Sequence, residues 1–324
     1  MKKILPFSVN VPVKTYPNIA FYLGIIDGCG LDIKTLLFSE FTHIFYFRER
    51  IDFVSTGHFQ KKYFENNYKN FGIRRNIENI IKEINKGNYV IIILNEKYID
   101  SKETPSLDNY YHDWIIYGYD SVEEYFYCAG YFGRKMRLRQ YNKLKIKFSD
   151  IQQSLDKSKL NHFWFTVNNT HTTRINHIPN EFEVNLANEH IKYMKPPLLK
   201  VYYNRPIINL DINALIKFRK MIIRKLTNWE KLKEKRIRLQ SFRIIYEHFN
   251  VLEMLSECCI TNEYINDIYK QITNKAYMLF VIAIKYNSKF SLHSLNLILN
   301  LLNEIIELNE ELNKTILIDD YDNY

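Results

Sequence analysis

The stretch of this chain best suited to chemistry begins at a histidine. His112-Asp113-Trp114-Ile115-Ile116-Tyr117-Gly118-Tyr119-Asp120 runs directly into Ser121-Val122-Glu123-Glu124 and Tyr125-Phe126-Tyr127-Cys128. Aromatic and β-branched residues on both sides of a polar turn predict a β-hairpin, with the turn starting at Asp120. The imidazole of His112 then stands at the mouth of a rigid strand, where it can serve as a base or simply as a hydrogen-bonded strand end. Strand alternation puts Asp113 on the opposite face, and Asp120 lies at the far end.

The other nucleophile-grade side chains are four cysteines: Cys29, Cys128 and the neighbours Cys258 and Cys259. No C-x-x-C pair occurs, so neither a zinc ribbon nor a disulfide framework is expected, and a reducing cytoplasm fits best. His162, His171 and His177 are spaced like no zinc signature, and no metal or cofactor is expected. The start, Met1-Lys2-Lys3-Ile4-Leu5-Pro6, lacks the apolar run of a secretory signal. Ala276 to Ile284, the most apolar later run, is too short to cross a bilayer.

The elements that must hold these groups divide by their breakers. Every glycine lies at or before Gly133, and Pro206 is the last proline. Residues 1–150 read as mixed α/β. A short apolar helix is predicted from Asn18 to Ile26, stopped by Asp27-Gly28-Cys29-Gly30. Asp32 is placed to cap a second helix running through Phe38, Phe41 and Phe45. Asn76 caps an amphipathic helix with Ile77, Ile80, Ile81 and Ile84 on one side and Gly87 as its stop. Tyr89 to Leu94 is an unbroken apolar run of strand length, hence a central strand. A polar loop around Thr104-Pro105-Ser106 leads to the His112 hairpin, and together these segments predict helices packed on an antiparallel sheet. Residues 151–206 form a connecting region, and residues 207–324 read as a helical domain of three to five antiparallel helices. Its last helix carries Leu295, Ile298, Leu302, Ile305 and Leu312 on one stripe.

The net charge is +9, but it is unevenly spread. Ten Lys and Arg fall between Lys217 and Arg238 against Glu230 and Glu234, whereas the last segment is acidic from Glu304 to Asp322. The basic block has little aromatic interleaving and no recognised nucleic-acid reading motif, so it reads as a solvated helix face.

The segment His112 to Tyr119, with its buried strand before and aromatic strand after, resembles the N-terminal domain of butirosin biosynthesis protein H and its relatives. That family belongs to the papain-like superfamily, beside the leader peptidases of double-glycine bacteriocin precursors. Ile244-Ile245-Tyr246-Glu247-His248 with Val251-Leu252 is similar to C-terminal regions of the same group. The resemblance implies an α+β papain-like domain followed by an all-α domain. It also implies acyl transfer from phosphopantetheinyl carrier-protein thioesters, through a cysteine at a helix start activated by a histidine. His112 matches the family's base, and Gly28-Cys29-Gly30 resembles the cysteine-glycine step of the nucleophile. If the family's first helix is instead Asn18 to Ile26, the nucleophile belongs near Tyr16 to Phe21, where there is no cysteine. The third member, usually Asp or Asn, belongs near Gly130 to Gly133, and the chain has neither there. Asp120 is a possible support and Asn18 a possible oxyanion donor. Carrier proteins are acidic, so the Lys217 to Arg238 face is the expected docking surface. A degenerate scaffold and a leader-processing cysteine peptidase are the alternatives.

Overall fold

In a computed structural model of the chain, the described residues are 1–53, 64–67, 77–99, 111–132, 140–157, 171–175, 211–232 and 235–322. They fall into two compact units, one of residues 1–33 and 57–178, the other of residues 34–56 and 179–324. The two are interleaved. The boundaries expected at 150 and 206 therefore do not follow the compact units, because an early segment, 34–56, belongs with the helices.

The first unit is built on an antiparallel sheet. Its strands are β1 (Lys2–Ile4), β4 (Phe64–Asn67), β5 (Tyr89–Asn95), β6 (Tyr111–Asp120), β7 (Tyr125–Phe132), β8 (Gln140–Lys147) and β9 (His171–Ile175). The order is β4-β9-β5-β6-β7-β8, with β1 also on β6. All seven residues of β5 are buried, as the apolar run Tyr89 to Leu94 predicts for a central strand covered on both faces. The expected hairpin is β6 and β7. Its register runs Ile115 to Ala129 and Ile116 to Cys128, then shifts so that Gly118 meets Tyr127. Tyr117 is thus the extra residue of a bulge, and its ring stacks on Phe7 at 4.9 Å.

Helix α1 (Pro17–Gly28) is buried continuously from Ile19 to Ile26, which marks a core helix rather than a surface one. Phe21 lies against Tyr141 and Tyr22 edge-on to Phe64. Helix α3 (Ile77–Asn85) buries Ile80 and Ile84 as its periodicity requires, and ends at Gly87 with φ +86°. Its expected cap, Asn76, lies outside the described residues, as do the loop at Thr104 to Ser106 and His162 and His177. Helix α4 (Phe148–Asp156) follows β8.

The second unit holds α2 (Ile33–Glu40, from Lys34 on), the hairpin β2 (Ile44–Phe47) and β3 (Arg50–Phe53), and the helices α5 (Asp211–Thr227), α6 (Trp229–Leu232), α7 (Leu239–Cys259), α8 (Glu263–Lys289) and α9 (Leu292–Asp322). Leu295, Ile298, Leu302, Ile305 and Leu312 of α9 are all buried, as the stripe predicts. The helix expected from Asp32 through Phe45 is a correction: α2 stops at Glu40 and Phe45 lies in β2. Beyond the helix end the chain is held by Asp211, whose Oδ1 accepts the Ile44 backbone N–H at 3.0 Å and whose Oδ2 meets His43 Nδ1 at 2.9 Å, and Ile44 to Phe47 pair with Arg50 to Phe53 instead of continuing the helix.

Candidate functional site

Two ends of the sheet unit receive the residues singled out above. At one end lies His112, paired across the strands with Leu94. Its ring stands edge-on to Tyr131 at 5.7 Å. The Tyr131 hydroxyl in turn donates to the carbonyl of Lys14, just before α1 begins. Tyr16 caps that helix through its carbonyl, which accepts from Ile19 and Ala20 N–H, and Pro17 occupies the first turn. Pro suits this place, since its missing N–H is one the helix would leave unpaired. Asn18 is exposed in the same turn. The structure therefore brings His112 and Asn18 to the end of the sheet where α1 starts, with its positive dipole end.

Cys29 is elsewhere. It is the C-cap residue of α1, with its N–H bonded to the carbonyls of Ile25 and Ile26. Its Sγ is 3.7 Å from the Tyr89 hydroxyl, which already donates to Pro6 O at 2.5 Å, leaving the thiol to donate to the phenol. Tyr89 is five residues from Leu94 along β5, roughly 17 Å of strand, and Leu94 is where His112 pairs. A thiol and base that work as a pair need hydrogen-bond reach. The structure does not bring Cys29 and His112 together. Moreover, the Gly28-Cys29-Gly30 step closes a helix rather than opening one: Gly30 takes φ +70° in the exit turn. The helix carbonyl end that faces Cys29 is the reverse of the amide end that activates a thiolate.

Asp120 belongs to the far end too, and its role there is local. Buried to 8% exposure, its Oδ1 accepts the N–H of Val122 at 3.1 Å and of Glu123 at 3.3 Å, which fixes the β6–β7 turn. Asp120→Ala is expected to cost about 1–2 kcal/mol in a urea melt and to leave the alkylation rate of Cys29 unchanged. Continuing the β6–β7 register past Ile115 and Ala129 sets Phe132 opposite His112 and Tyr131 opposite Asp113, so no carboxylate faces the histidine from β7. The Asp113 carboxyl is pushed up by burial.

The remaining thiols are Cys128, fully buried in β7 and pushed well up by desolvation, and Cys258 and Cys259 in the other unit. Burial and then Cys258 raise Cys259, while Cys258 receives Lys34 Nζ at 3.4 Å.

Within the helical unit the basic block is partly structural. Lys225 is buried, donates to Lys235 O and lies 5.5 Å from the Tyr286 ring centroid, and burial, then Lys235, lowers its pKa. Arg219 donates to Asn303 at 3.2 Å and Arg224 pairs with Glu49. Lys217, Lys220, Lys231, Arg236 and Arg238 are exposed.

The same unit holds a polar cluster that motif reasoning missed: His43 and Asp211, with His248 of α7 nearby. His248 is fully buried, and desolvation outweighs the attraction of Asp211, so its pKa falls to about 4. The signal for it was weak, a histidine inside an apolar helical repeat. Among the described residues no group of three or more His, Cys, Asp or Glu is arranged to hold a metal ion, and no helix is long and apolar enough to cross a membrane. Compared with known family models and with curated proteins, the chain matches none.

Proposed function

We propose that the sheet unit is a papain-like domain with an incomplete acyl-transfer site, and that the chain acts as a binding component of a carrier-protein thioester assembly rather than as its acyltransferase. The observation that carries this is the position of Cys29, at the end of α1 away from His112. A functioning site of the papain-like kind would hold its cysteine where Tyr16, Pro17 and Asn18 stand, because only the helix start offers both the amide dipole and the nearby imidazole. The exposed lysines and arginines of α5 and the segment after it support an acidic carrier protein as the partner, with attraction that falls as salt is raised.

Intact-mass measurement after incubation with an acyl-pantetheine thioester tests the proposal, with Cys29→Ala and His112→Ala variants alongside. The expected result is no acyl adduct that requires both residues. A single adduct lost in both variants overturns the reading in favour of acyl transfer through Cys29, with a carrier-bound acyl group as donor. An independent check of the site places a thiol at the helix start. Asn18→Cys is expected to alkylate several-fold faster than Cys29, and to slow after His112→Ala, while Cys29 itself ignores that change. Charge reversal at Lys217, Lys220, Lys231 and Arg236 is expected to weaken carrier binding at least tenfold at low salt. Unchanged binding sinks the docking surface.

A further inference from the structure

A second constellation lies on the β1–β6–β7–β8 part of the sheet, away from His112. Strand β8 carries lysine at every second residue from 143 to 147, and its register sets Lys145 opposite Tyr127 and Lys147 opposite Tyr125. Residues directly opposite share a sheet face. From the other side, β1 sets Lys2 opposite Asp120, which is itself opposite Tyr125. Two phenols are thus flanked by ammonium groups from two other strands.

The geometry is close. The Tyr125 and Tyr127 hydroxyls are 3.0 Å apart. Lys145 Nζ lies 4.5 Å from the Tyr125 ring centroid and 5.8 Å from that of Tyr127, and Lys2 Nζ is 5.5 Å from the latter. Tyr127 raises the pKa of Lys2, and Tyr125 that of Lys145. The two cations are near enough to repel each other. Among the described residues neither forms an ion pair with a carboxylate. Asp120, opposite Lys2 across β1 and β6, adds a weaker attraction and is itself engaged by the turn N–H groups of Val122 and Glu123. Both lysines are exposed and both tyrosines half-buried.

We infer that Lys2, Lys145, Tyr125 and Tyr127 form a receiving site for the dianionic end of a phosphate monoester. Two ammonium charges match a dianion, and the Tyr127 hydroxyl, accepting from Tyr125, keeps its own proton to donate to one oxygen of the tetrahedral group. Lys2, then Tyr125, lowers the Tyr127 pKa, the direction expected where positive charge is in surplus. A single strand of nucleic acid fits less well, since the bases would need open aromatic faces and the lysine head groups lie over these rings.

Calorimetric titration of the full chain with methyl phosphate is the test. Saturable binding is expected. It should weaken about tenfold or more in Lys2→Gln/Lys145→Gln, which removes two charge-assisted hydrogen bonds, and several-fold in Tyr127→Phe. Lys270→Gln/Lys285→Gln removes the same charge from exposed positions elsewhere and should leave binding unchanged. Absorbance titration gives a second readout: bound methyl phosphate should shift Tyr127 ionisation to higher pH. Absence of saturable binding, or equal loss in the two double variants, overturns the inference. So does tight binding of a short single-stranded oligonucleotide without binding of methyl phosphate, which would assign the face to nucleic acid.

Discussion

Acidification from pH 7 to pH 4 is expected to remove about 3 kcal/mol from the stability of the helical unit through His248 alone. Its imidazole is enclosed in α7 beside Phe249, and it titrates at about 4 in the folded chain against roughly 6.5 when unfolded. The folded pKa lies below the unfolded one, so the unfolded chain binds the proton first. Stability is therefore full above about pH 6.5 and declines as pH falls toward 4. The physical cause is desolvation: a charged imidazole in this core has lost its water, and the attraction of Asp211 is offset in part by His43. Urea melts across that range measure the slope. His248→Gln, which cannot take up a proton, should flatten it even if the variant is less stable at pH 7. An unchanged slope in His248→Gln would assign the acid sensitivity to carboxylates instead.

Gly28→Ala is expected to destabilise the sheet unit by about 2 kcal/mol, although alanine is the better helix former by about 1 kcal/mol. An added Cβ at Gly28 would meet Phe7 backbone atoms, its Cα and N at 2.4 Å and its C at 2.7 Å. Phe7 has little room to retreat. Its ring stacks on Tyr117, its carbonyl accepts Lys143 Nζ at 2.6 Å, and the carbonyl of the preceding Pro6 accepts the Tyr89 hydroxyl. The clash therefore falls on backbone held from three sides, where overpacking outweighs propensity. The urea midpoint should drop with an unchanged slope. Gly30 offers the contrast, because a Cβ there meets nothing within 4 Å and only the positive φ resists. Gly30→Asn should consequently be far milder. Equal losses at the two positions would contradict the packing argument.

Much of the sheet unit was legible because its signals are local. The run Tyr89 to Leu94, the stripe Ile77 to Ile84 and the turn at Asp120 each announce an element without help from elsewhere. The β2–β3 hairpin was not legible. Its turn is made by Arg48 and Glu49, at φ 48° and 64°, where hairpin turns usually carry Asn or Gly. An aromatic run with no breaker then reads as more helix. The candidate site failed in a similar way. Glycine on both sides of Cys29 marks a helix boundary but does not say which end, and a strand histidine does not reveal which end of α1 it meets. Only the pairing of His112 with Leu94 and the contact of Cys29 with Tyr89 decide that. His248 was invisible for another reason: its consequence comes from the depth at which it is buried, which follows from tertiary packing.

The interleaving of the two units sets an order of events during synthesis. Ile51 donates its N–H to Ser241 Oγ, a partner 190 residues later, and Ile44 waits for Asp211, 167 residues later. At translation speeds of about 5–20 residues per second, the segment from 34 to 56 stays without its permanent partners for roughly 10–40 s. Its aromatic residues, Phe38, Phe41, Phe45, Tyr46, Phe47 and Phe53, are meanwhile exposed on the nascent chain. A transcript cut short after the sheet strands would release a product with an orphaned greasy loop, making premature termination a route to aggregation and chaperone capture.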